Sequence, residues 1–319
     1  MKHLLAAADL SPEEIRFLLN AAKKMAPALK REKEAGRSAS LPILTGKTIV
    51  NLFFENSTRT RMSFDVAIRQ LGAGAMNFAA STSSVTKGET LIDTAKNIEA
   101  MGPHAIVVRH SSAGSPHFLS KNVSVPVINA GDGFHEHPTQ GLLDLYTMEE
   151  KLGTVAGKRV VIMGDIAHSR VARSNIHLLR KMGASVAVCA PPTLLPPSPE
   201  TLGVDYAYRP EELLGDADVV MCLRIQLERQ NRMQIPSLSE YSAFWGLSLE
   251  RAALLKPGCI ILHPGPVNRG VELDTEVADG PRSVILDQVF NGVLVRMAVL
   301  ATLVDRPKLE KWLATNGNG

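Results

Sequence analysis

Short apolar segments rich in valine and isoleucine alternate with helical segments along most of this chain. Four strand segments come first, and five more follow a long helical segment over 137–153; they lie at 47–54, 73–79, 104–109, 125–129, 159–165, 184–190, 204–208, 218–224 and 259–265. Strands that are apolar along their whole length are typical of parallel sheets covered by helices. The pattern therefore predicts an α/β protein with two parallel-sheet βα domains and helices on both faces.

The last apolar stretch, 283–304, is too long for a strand. We interpret it as a helix that begins at about Leu286 and packs back against the first domain. The predicted domains are then 1–138 together with 286–319, and 139–285. Asp287 and Arg296 in this stretch argue against a membrane span, and the N-terminal segment lacks the apolar core of a signal peptide. We expect a cytoplasmic protein with no membrane partner.

The composition argues against nucleic-acid and metal binding. Lys and Arg total 35 against 32 Asp and Glu without any basic block, and aromatic residues make up only 5% of the chain. Nucleic-acid binders concentrate their positive charge and use aromatic side chains for stacking. Cys189, Cys222 and Cys259 stand apart in apolar runs, which predicts buried, reduced thiols. The HEH run at 135–137 offers too few ligands for a metal, so we expect no metal.

The segment ENSTRTR, at 55–61, lies between a predicted strand and a predicted helix. Ser57 is the candidate N-cap residue, so the first backbone N–H groups of the helix are available to a ligand. Arg59 and Arg61 oppose the helix dipole at this end unless an anion neutralises them. A phosphate or carboxylate site is therefore predicted here, and a solvated helix start with surface arginines is the alternative.

These residues resemble a family motif. FFENSTRTRMSF (53–64) is similar to the F-x-x-x-S-T-R-T-R motif of the aspartate and ornithine carbamoyltransferases. Six further segments resemble blocks of the aspartate members in the family's order, and they are SSVTKGET (83–90), VVRH (107–110), NAGDGFHEHPTQGLLDL (129–145), MGDIAHSRVARS (163–174), RIQLER (224–229) and HPGPVNRG (263–270). The resemblance covers essentially the whole chain. The ornithine members have an H-C-L-P-like segment near the last strand and an S-M-G loop that binds the amino acid. This chain has HPGP and RIQLER instead, which resemble the aspartate members.

The resemblance implies attack of the L-aspartate amine on the carbonyl carbon of carbamoyl phosphate. The products are N-carbamoyl-L-aspartate and phosphate, in the first committed step of de novo pyrimidine biosynthesis, and no cofactor is implied. Two alternatives stay open. One is a carbamoyltransferase with another acceptor, such as ornithine. The other is a non-catalytic phosphate- or nucleotide-binding regulator, although GDIAHSR (164–170) lacks the G-x-G-x-x-G pattern of dinucleotide sites.

The family pattern also implies which residues bind carbamoyl phosphate. They supply hydroxyl, guanidinium, imidazole, amide and backbone groups, and they are Ser57, Thr58, Arg59, Thr60, Arg109, His137, Gln140, Gly265 and Pro266. Thr60, Arg109 and His137 are expected to stabilise the carbonyl oxygen as it becomes negative. Gln140 is expected to hold the carbamoyl amide, and the backbone carbonyls of the Gly265–Pro266 turn are expected to accept from the carbamoyl NH₂ and the amine.

For aspartate, the resemblance implies that Arg170 binds the α-carboxylate and Arg224 the side-chain carboxylate, with Gln226 beside them. Planar guanidinium groups match carboxylates with two hydrogen bonds. Ser83 and Lys87 are expected to reach the site of the neighbouring subunit, with Lys87 as a catalytic ammonium that also binds aspartate. This implies a homotrimer, either alone or in a larger complex with regulatory chains or dihydroorotase. We further expect ion pairs that join Glu55, Glu228 and Arg229.

Overall fold

The computed structural model describes residues 1–36, 40–79, 89–225 and 235–316. The chain divides into two compact units. Unit 1 comprises Met1–Leu142 and Phe290–Gly319, and unit 2 comprises Leu143–Val289. The chain passes from unit 1 to unit 2 after Leu142 and returns to unit 1 after Val289. Both positions lie a few residues beyond the predicted domain boundaries at 138 and 286.

Unit 1 is built on a four-stranded parallel sheet of order β2-β1-β3-β4. Its strands are β1 (Thr48–Phe53), β2 (Gly74–Ala79), β3 (Ala105–His110) and β4 (Val127–Asp132). Its helices are α1 (Pro12–Glu34), α2 (Thr58–Gln70), α3 (Leu91–Glu99) and α4 (Ser115–Ser120), and α5 (Pro138–Leu152) carries the chain on into unit 2. Helix α1 begins with a capping box, because Ser11 and Glu14 exchange side-chain-to-backbone hydrogen bonds of 3.2 and 3.1 Å.

Unit 2 is built on a five-stranded parallel sheet of order β7-β6-β5-β8-β9. Its strands are β5 (Arg159–Met163), β6 (Ser185–Cys189), β7 (Asp205–Ala207), β8 (Val219–Cys222) and β9 (Ile260–Leu262). Its helices are α6 (Arg170–Lys181), α7 (Glu211–Leu214), α8 (Leu238–Trp245), α9 (Leu249–Ala253) and α10 (Thr275–Ala278). The two sheets confirm the predicted fold class.

The three cysteines lie in the core of unit 2 as free thiols, as predicted. Burial raises the pKa of Cys189 to about 12 and that of Cys259 to about 11, and it raises the pKa of Cys222 further still. A thiol that stays protonated at neutral pH is a poor nucleophile and a poor metal ligand. These cysteines are therefore packing residues.

The last helix, α11 (Ile285–Asn316), begins where the sequence predicts it and departs from helical geometry at Asp305. Within the described residues it is the one helix long and apolar enough to cross a membrane by composition. However, 67% of its most apolar window is buried inside the protein. That burial is what a core helix shows, and Arg296 within it is only 4% exposed.

Candidate active site

The arginine-rich segment 55–61 leaves β1 and enters α2. Helix α2 begins at Thr58 with Ser57 at the N-cap position, as predicted, and the Ser57 hydroxyl makes no capping hydrogen bond within the described part of the chain. Thr58 and Arg59 are exposed, whereas Thr60 is 8% exposed. The first turn contains arginines and no acidic residue. The start of this helix therefore offers backbone N–H groups, hydroxyls and positive charge to an anion.

Arg109 lies at the carboxyl end of the neighbouring strand. Its Cα pairs with that of Phe53 in β1, and its carbonyl accepts from the Phe54 N–H at 2.9 Å. The guanidinium is buried, and it donates from Nη1 to the Ala130 carbonyl of β4 at 3.1 Å and from Nη2 to Glu55 Oε1 at 3.0 Å. Arg109 is thus fixed where β1, β3 and β4 end, which is the edge at which parallel sheets bind ligands.

Glu55 has a partner that the sequence analysis does not foresee. We expected it to pair around the loop that contains Glu228 and Arg229, and those two residues lie outside the described residues. In the structure Glu55 forms an ion pair with Arg109, and its side chain is 22% exposed. The carboxylate therefore orients the guanidinium group that is expected to meet the substrate.

A buried polar network holds the segment after β4. The Asp132 carboxylate is fully buried and accepts from the backbone N–H groups of Gly114 at 2.7 Å and Glu136 at 3.1 Å, and from Asn129 Nδ2 at 2.8 Å. Burial alone raises a carboxyl pKa, but hydrogen bonds from His135, Asn129 and Gly114 outweigh it and hold the pKa of Asp132 below its usual value. Asp132 is therefore an ionised anchor for the turn that precedes α5.

The next buried carboxylate ties this turn to the N terminus. Glu136 is 2% exposed and accepts from the backbone N–H groups of Ala7 at 2.8 Å and Ala8 at 3.1 Å. His137 follows directly and is 3% exposed, and its carbonyl accepts from the Gln140 N–H at 2.9 Å. Of the predicted pair, His137 therefore directly precedes α5 and Gln140 lies in its first turn, after the carboxyl end of β4.

In unit 2, the two arginines predicted for aspartate follow neighbouring strands. Arg170 is the first residue of α6, after β5, and is 4% exposed, while Arg224 follows β8 and is half-buried. Strands β5 and β8 pair with each other, with Met163 opposite Cys222. A cation at a helix N-terminus opposes the helix dipole, so Arg170 favours an anionic ligand just as the arginines of α2 do.

The turn after β9 carries Gly265 and Pro266. Gly265 has φ +67°, its peptide bond to Pro266 is cis, and its N–H donates to His263 Nδ1 at 2.7 Å. His263 and Glu272 are buried, and their side chains meet at 3.1 Å. The backbone of this turn is therefore held by buried side chains that the sequence analysis does not single out.

The predicted site residues thus fall into two sets. Unit 1 holds Ser57, Thr58, Arg59, Thr60, Arg109, His137 and Gln140, and unit 2 holds Arg170, Arg224, Gly265 and Pro266. Ser83, Lys87 and Gln226 lie outside the described residues. Within the ranges that the structure describes, no three His, Cys, Asp or Glu side chains are arranged to hold a metal ion.

Sequence reasoning missed the acidic residues that support these sets, namely Asp132, Glu136 and Glu272. A signal for the first two exists, because Asp132 lies at the end of an apolar strand and Glu136 lies shortly after it in NAGDGFHEH (129–137). No comparable signal marks Glu272, which lies in a polar segment.

Comparison with known proteins covers nearly the whole chain. Residues 2–150 match the family model for the carbamoyl-P binding domain of aspartate/ornithine carbamoyltransferase, and residues 156–303 match that for its Asp/Orn binding domain. The chain is 54% identical to the aspartate carbamoyltransferase catalytic subunit of Anaeromyxobacter dehalogenans over 95% of both chains.

Two solved structures are also similar. Aspartate transcarbamoylase from Trypanosoma cruzi in complex with carbamoyl phosphate and aspartate is 31% identical, with a TM-score of 0.82 over 95% of both chains. Ornithine carbamoyltransferase from Thermus thermophilus is 28% identical, with a TM-score of 0.83 over 96% of this chain and 99% of that one.

Proposed function

Because the chain belongs to the aspartate/ornithine carbamoyltransferase family, we propose that it transfers the carbamoyl group of carbamoyl phosphate to L-aspartate. The observation that carries this function is buried Arg109, fixed between Glu55 and Ala130 beside the arginine-rich start of α2. Aspartate is favoured over ornithine as the acceptor because Arg170 and Arg224 attract carboxylates and repel a cationic side chain. The identity of 54% with an aspartate enzyme supports the same choice.

In this proposal, the phosphate group binds the start of α2 through Ser57, Thr58, Arg59 and Thr60. Thr60, Arg109 and His137 donate to the carbonyl oxygen, which becomes negative as the amine attacks. Groups that are already oriented toward developing charge lower the barrier without further reorganisation. The buried contacts of Arg109 with Glu55 and Ala130 provide that orientation.

The aspartate carboxylates bind Arg170 and Arg224, with Gln226 nearby, and this holds the uncharged amine toward the carbonyl carbon. The new C–N bond forms, the C–O bond to phosphate breaks, and the amine proton leaves with the departing phosphate, which is basic enough to accept it. No side chain is then required as a general base. Catalysis consists of positioning and of electrostatic stabilisation.

The test is a kinetic assay of carbamoyl-aspartate and phosphate formation, run in parallel with ornithine. We expect equimolar products from aspartate and no turnover of ornithine. Arg109→Ala is expected to lower kcat/KM by about 10²–10³-fold, the usual cost of one oxyanion donor. Arg224→Ala is expected to raise mainly the KM for aspartate, by about 10–100-fold for a lost charged hydrogen bond.

The matched control is Arg31→Ala, because Arg31 lies in unit 1 with a side chain that is 76% exposed. Its kinetic constants are expected to equal those of the wild type. Turnover of ornithine in preference to aspartate, or an unimpaired Arg109→Ala variant, would contradict the proposal.

We also propose a homotrimer, acting in the cytoplasm in pyrimidine biosynthesis, in which Ser83 and Lys87 serve the neighbouring subunit. Strand β2 is an edge strand that leads directly into residues 80–88. Exposed apolar side chains occur on β2, at Met76, and on α2, at Met62 and Val66, and exposed apolar surface often marks an interface. Light scattering is expected to give three times the chain mass of 34.5 kDa, and a larger mass in cell extracts would indicate regulatory chains or dihydroorotase.

A further inference from the structure

A buried imidazole–carboxylate pair supports the turn that carries Gly265 and Pro266. His263 and Glu272 have side chains that are 0% and 1% exposed, and His263 Nε2 lies 3.1 Å from Glu272 Oε1. The opposite ring nitrogen, Nδ1, lies 2.7 Å from the Gly265 nitrogen, which can only donate. Nδ1 is therefore the unprotonated acceptor, and the proton on Nε2 is donated to Glu272. The geometry defines the tautomer of His263.

The same carboxylate oxygen holds the far side of the turn. Glu272 Oε1 also accepts from the Asn268 N–H at 2.6 Å. Asn268 Nδ2 in turn lies 3.5 Å from the carbonyl oxygen of Ile225, the residue after Arg224. One buried carboxylate thus connects both ends of the segment 263–268 with the segment that carries Arg224.

A second set of buried contacts connects this turn with α6. The His263 N–H donates to Gln288 Oε1 at 2.9 Å, and Gln288 Nε2 donates to Asp144 Oδ1 at 2.7 Å. The other oxygen of Asp144 accepts from Asn175 Nδ2 at 2.8 Å, and Asn175 lies on α6, the helix that begins with Arg170. Buried networks in which the members are hydrogen-bonded to each other are rigid. The turn at Gly265 therefore shares one network with α6, the helix that begins with Arg170, and with Ile225, the residue after Arg224.

Packing alone does not account for this pair. Glu272 Oε2 is buried and has no hydrogen-bond partner in the described parts of the chain, and such an oxygen costs free energy. An apolar pair of similar volume fills the same space without that cost. The imidazole and carboxylate give the Gly265 N–H, and hence the Pro264–Gly265 peptide plane, a fixed direction that an apolar pair does not provide.

We propose that His263 and Glu272 are positioning residues for carbamoyl transfer, an inference that rests on the proposed function. Their hydrogen bonds fix the Pro264–Gly265 peptide plane, through the Gly265 N–H, and the Val267–Asn268 peptide plane, through the Asn268 N–H. The Gly265–Pro266 turn is thereby held from both sides, with its carbonyl groups directed toward the carbamoyl NH₂ and the attacking amine. The nitrogen of the amine becomes positive as the C–N bond forms, and an oriented carbonyl oxygen stabilises that charge. The pair therefore acts through the backbone.

The experiment compares two variants that differ by one methylene group. His263→Asn places an amide oxygen near the Nδ1 position and keeps an acceptor for Gly265, whereas His263→Gln extends toward Glu272 and leaves the Gly265 N–H without one. We expect His263→Gln to lower kcat about 10²-fold, the cost of a misplacement of about 1 Å. We expect His263→Asn to restore kcat to within about fivefold of the wild type, since the oriented donor is kept.

Glu272 provides a second, independent pair. Glu272→Gln keeps the oxygen that accepts from His263 and Asn268, so its kcat is expected to stay within about fivefold of the wild type. Glu272→Asp withdraws that oxygen by one methylene group and is expected to lower kcat about as much as His263→Gln does. This pair decides the question if His263→Gln does not fold. The control is His177→Gln, an exposed position on α6.

The readout separates positioning from stability. Active sites are titrated with a bisubstrate analogue that bears a phosphonate and two carboxylates, and kcat per titrated site is compared with the midpoint of thermal unfolding. Lower unfolding midpoints with wild-type kcat per site in every variant would overturn the inference. A wild-type protein without carbamoyl transfer would instead contradict the proposed function, so the two failures are distinguishable.

Discussion

The half-buried side chain of His110, next to Arg109, makes the stability of the protein depend on pH. It follows Arg109 at the end of β3, and its ring lies 5.1 Å from that of Phe54, measured between centroids. Burial lowers the pKa of His110, and the attraction of Glu55 and Asp132 offsets only part of this. Nδ1 accepts from the Ser112 N–H at 2.9 Å, a contact that protonation of Nδ1 breaks. The unfolded state therefore binds this proton more readily than the folded state does.

The pH dependence of stability follows from that difference. The contribution of His110 is fully present above the ordinary histidine pKa of about 6.5, and it is lost as the pH falls from there through the lower pKa of the folded state. His110→Asn keeps an oxygen acceptor for Ser112 and cannot titrate in this range. We expect the variant to show a smaller fall in unfolding midpoint between about pH 7.5 and pH 5.5 than the wild type, measured by scanning calorimetry.

His177→Asn is the control, since His177 is exposed on α6. Its midpoint is expected to follow the wild-type pH profile. If His110→Asn follows that profile too, protonation of His110 does not govern the loss of stability in acid.

Local contacts of single residues could be predicted from the sequence, whereas their long-range partners could not. The capping pattern at 55–61 is local, and the structure confirms Ser57 as the N-cap. The partners of the buried carboxylates are not local. Glu136 binds backbone groups 129 and 128 residues away, and Glu55 pairs with an arginine 54 residues away. No local pattern encodes such pairs, because they exist only once the strands are ordered in the sheet.

At the scale of elements, the end of β5 approaches the segment after β8 very closely. Gly164 has φ +126°, and a Cβ atom there would lie 2.7 Å from the Leu223 carbonyl oxygen. The Leu223 N–H donates to the Met163 carbonyl at 2.7 Å. Since Arg224 follows Leu223 directly, this close approach determines where the arginine leaves the sheet.

Gly164→Ala is expected to lower the free energy of unfolding by about 2–5 kcal/mol, because the left-handed conformation costs about 1–2 kcal/mol and overpacking about 1–3 kcal/mol. The KM for aspartate is expected to rise, since a displaced Leu223 moves Arg224. Urea titration and steady-state kinetics measure the two effects.

Gly153→Ala isolates the backbone cost. Gly153 has φ +80° in the same unit, and a Cβ atom there meets nothing within 4 Å among the described residues. We expect a loss of only about 1–2 kcal/mol there and an unchanged KM for aspartate. Equal effects from the two substitutions would mean that the approach of Leu223 is unimportant.

Helix α11 contributes a buried arginine to unit 1. Arg296 Nη1 donates to Ser63 Oγ on α2 at 2.8 Å, and its guanidinium lies 5.2 Å from the centre of the Phe64 ring. Lysine lacks the planar group that makes both contacts, so Arg296→Lys is expected to lower the free energy of unfolding by about 1–3 kcal/mol. Arg306→Lys is the matched control in urea titration, because Arg306 also stacks on a ring, that of Phe17, but its side chain is 49% exposed. A loss at Arg306 as large as that at Arg296 would contradict the role of burial.

Strand identity is largely local, whereas strand ends and order are not. The apolar runs predict every strand of both sheets, but β4 extends to Asp132, beyond its apolar run, because Asp132 pairs with His110 of β3. Strand β9 is shorter than predicted and ends at Leu262, since Pro264 and Pro266 cannot donate to a strand ladder. The order of the strands depends on contacts between segments far apart in sequence, which periodicity does not contain.

At the scale of the whole molecule, the restart of the strand pattern after 137–153 corresponds to two compact units. The assembly could not be predicted from the strand pattern. Ser83 and Lys87 lie outside the described residues, and the proposal that they contribute to a neighbouring subunit's site rests on the family resemblance. The exposed apolar side chains of Met62, Val66 and Met76 support an interface near them. A direct test of shared sites therefore needs subunits that carry different defects.

Mixed trimers of Lys87→Ala and Arg109→Ala chains provide that test. Each variant alone is expected to be nearly inactive. In a closed ring whose sites each take Arg109 from one subunit and Lys87 from the next, every mixed trimer contains one site without a defect. Random mixing of equal amounts is then expected to restore about a quarter of the wild-type activity. Co-expressed Lys87→Ala and Ser83→Ala chains are the control, since every site then contains one defective segment and no activity returns. Absence of recovery in the first mixture would mean that Lys87 serves its own subunit.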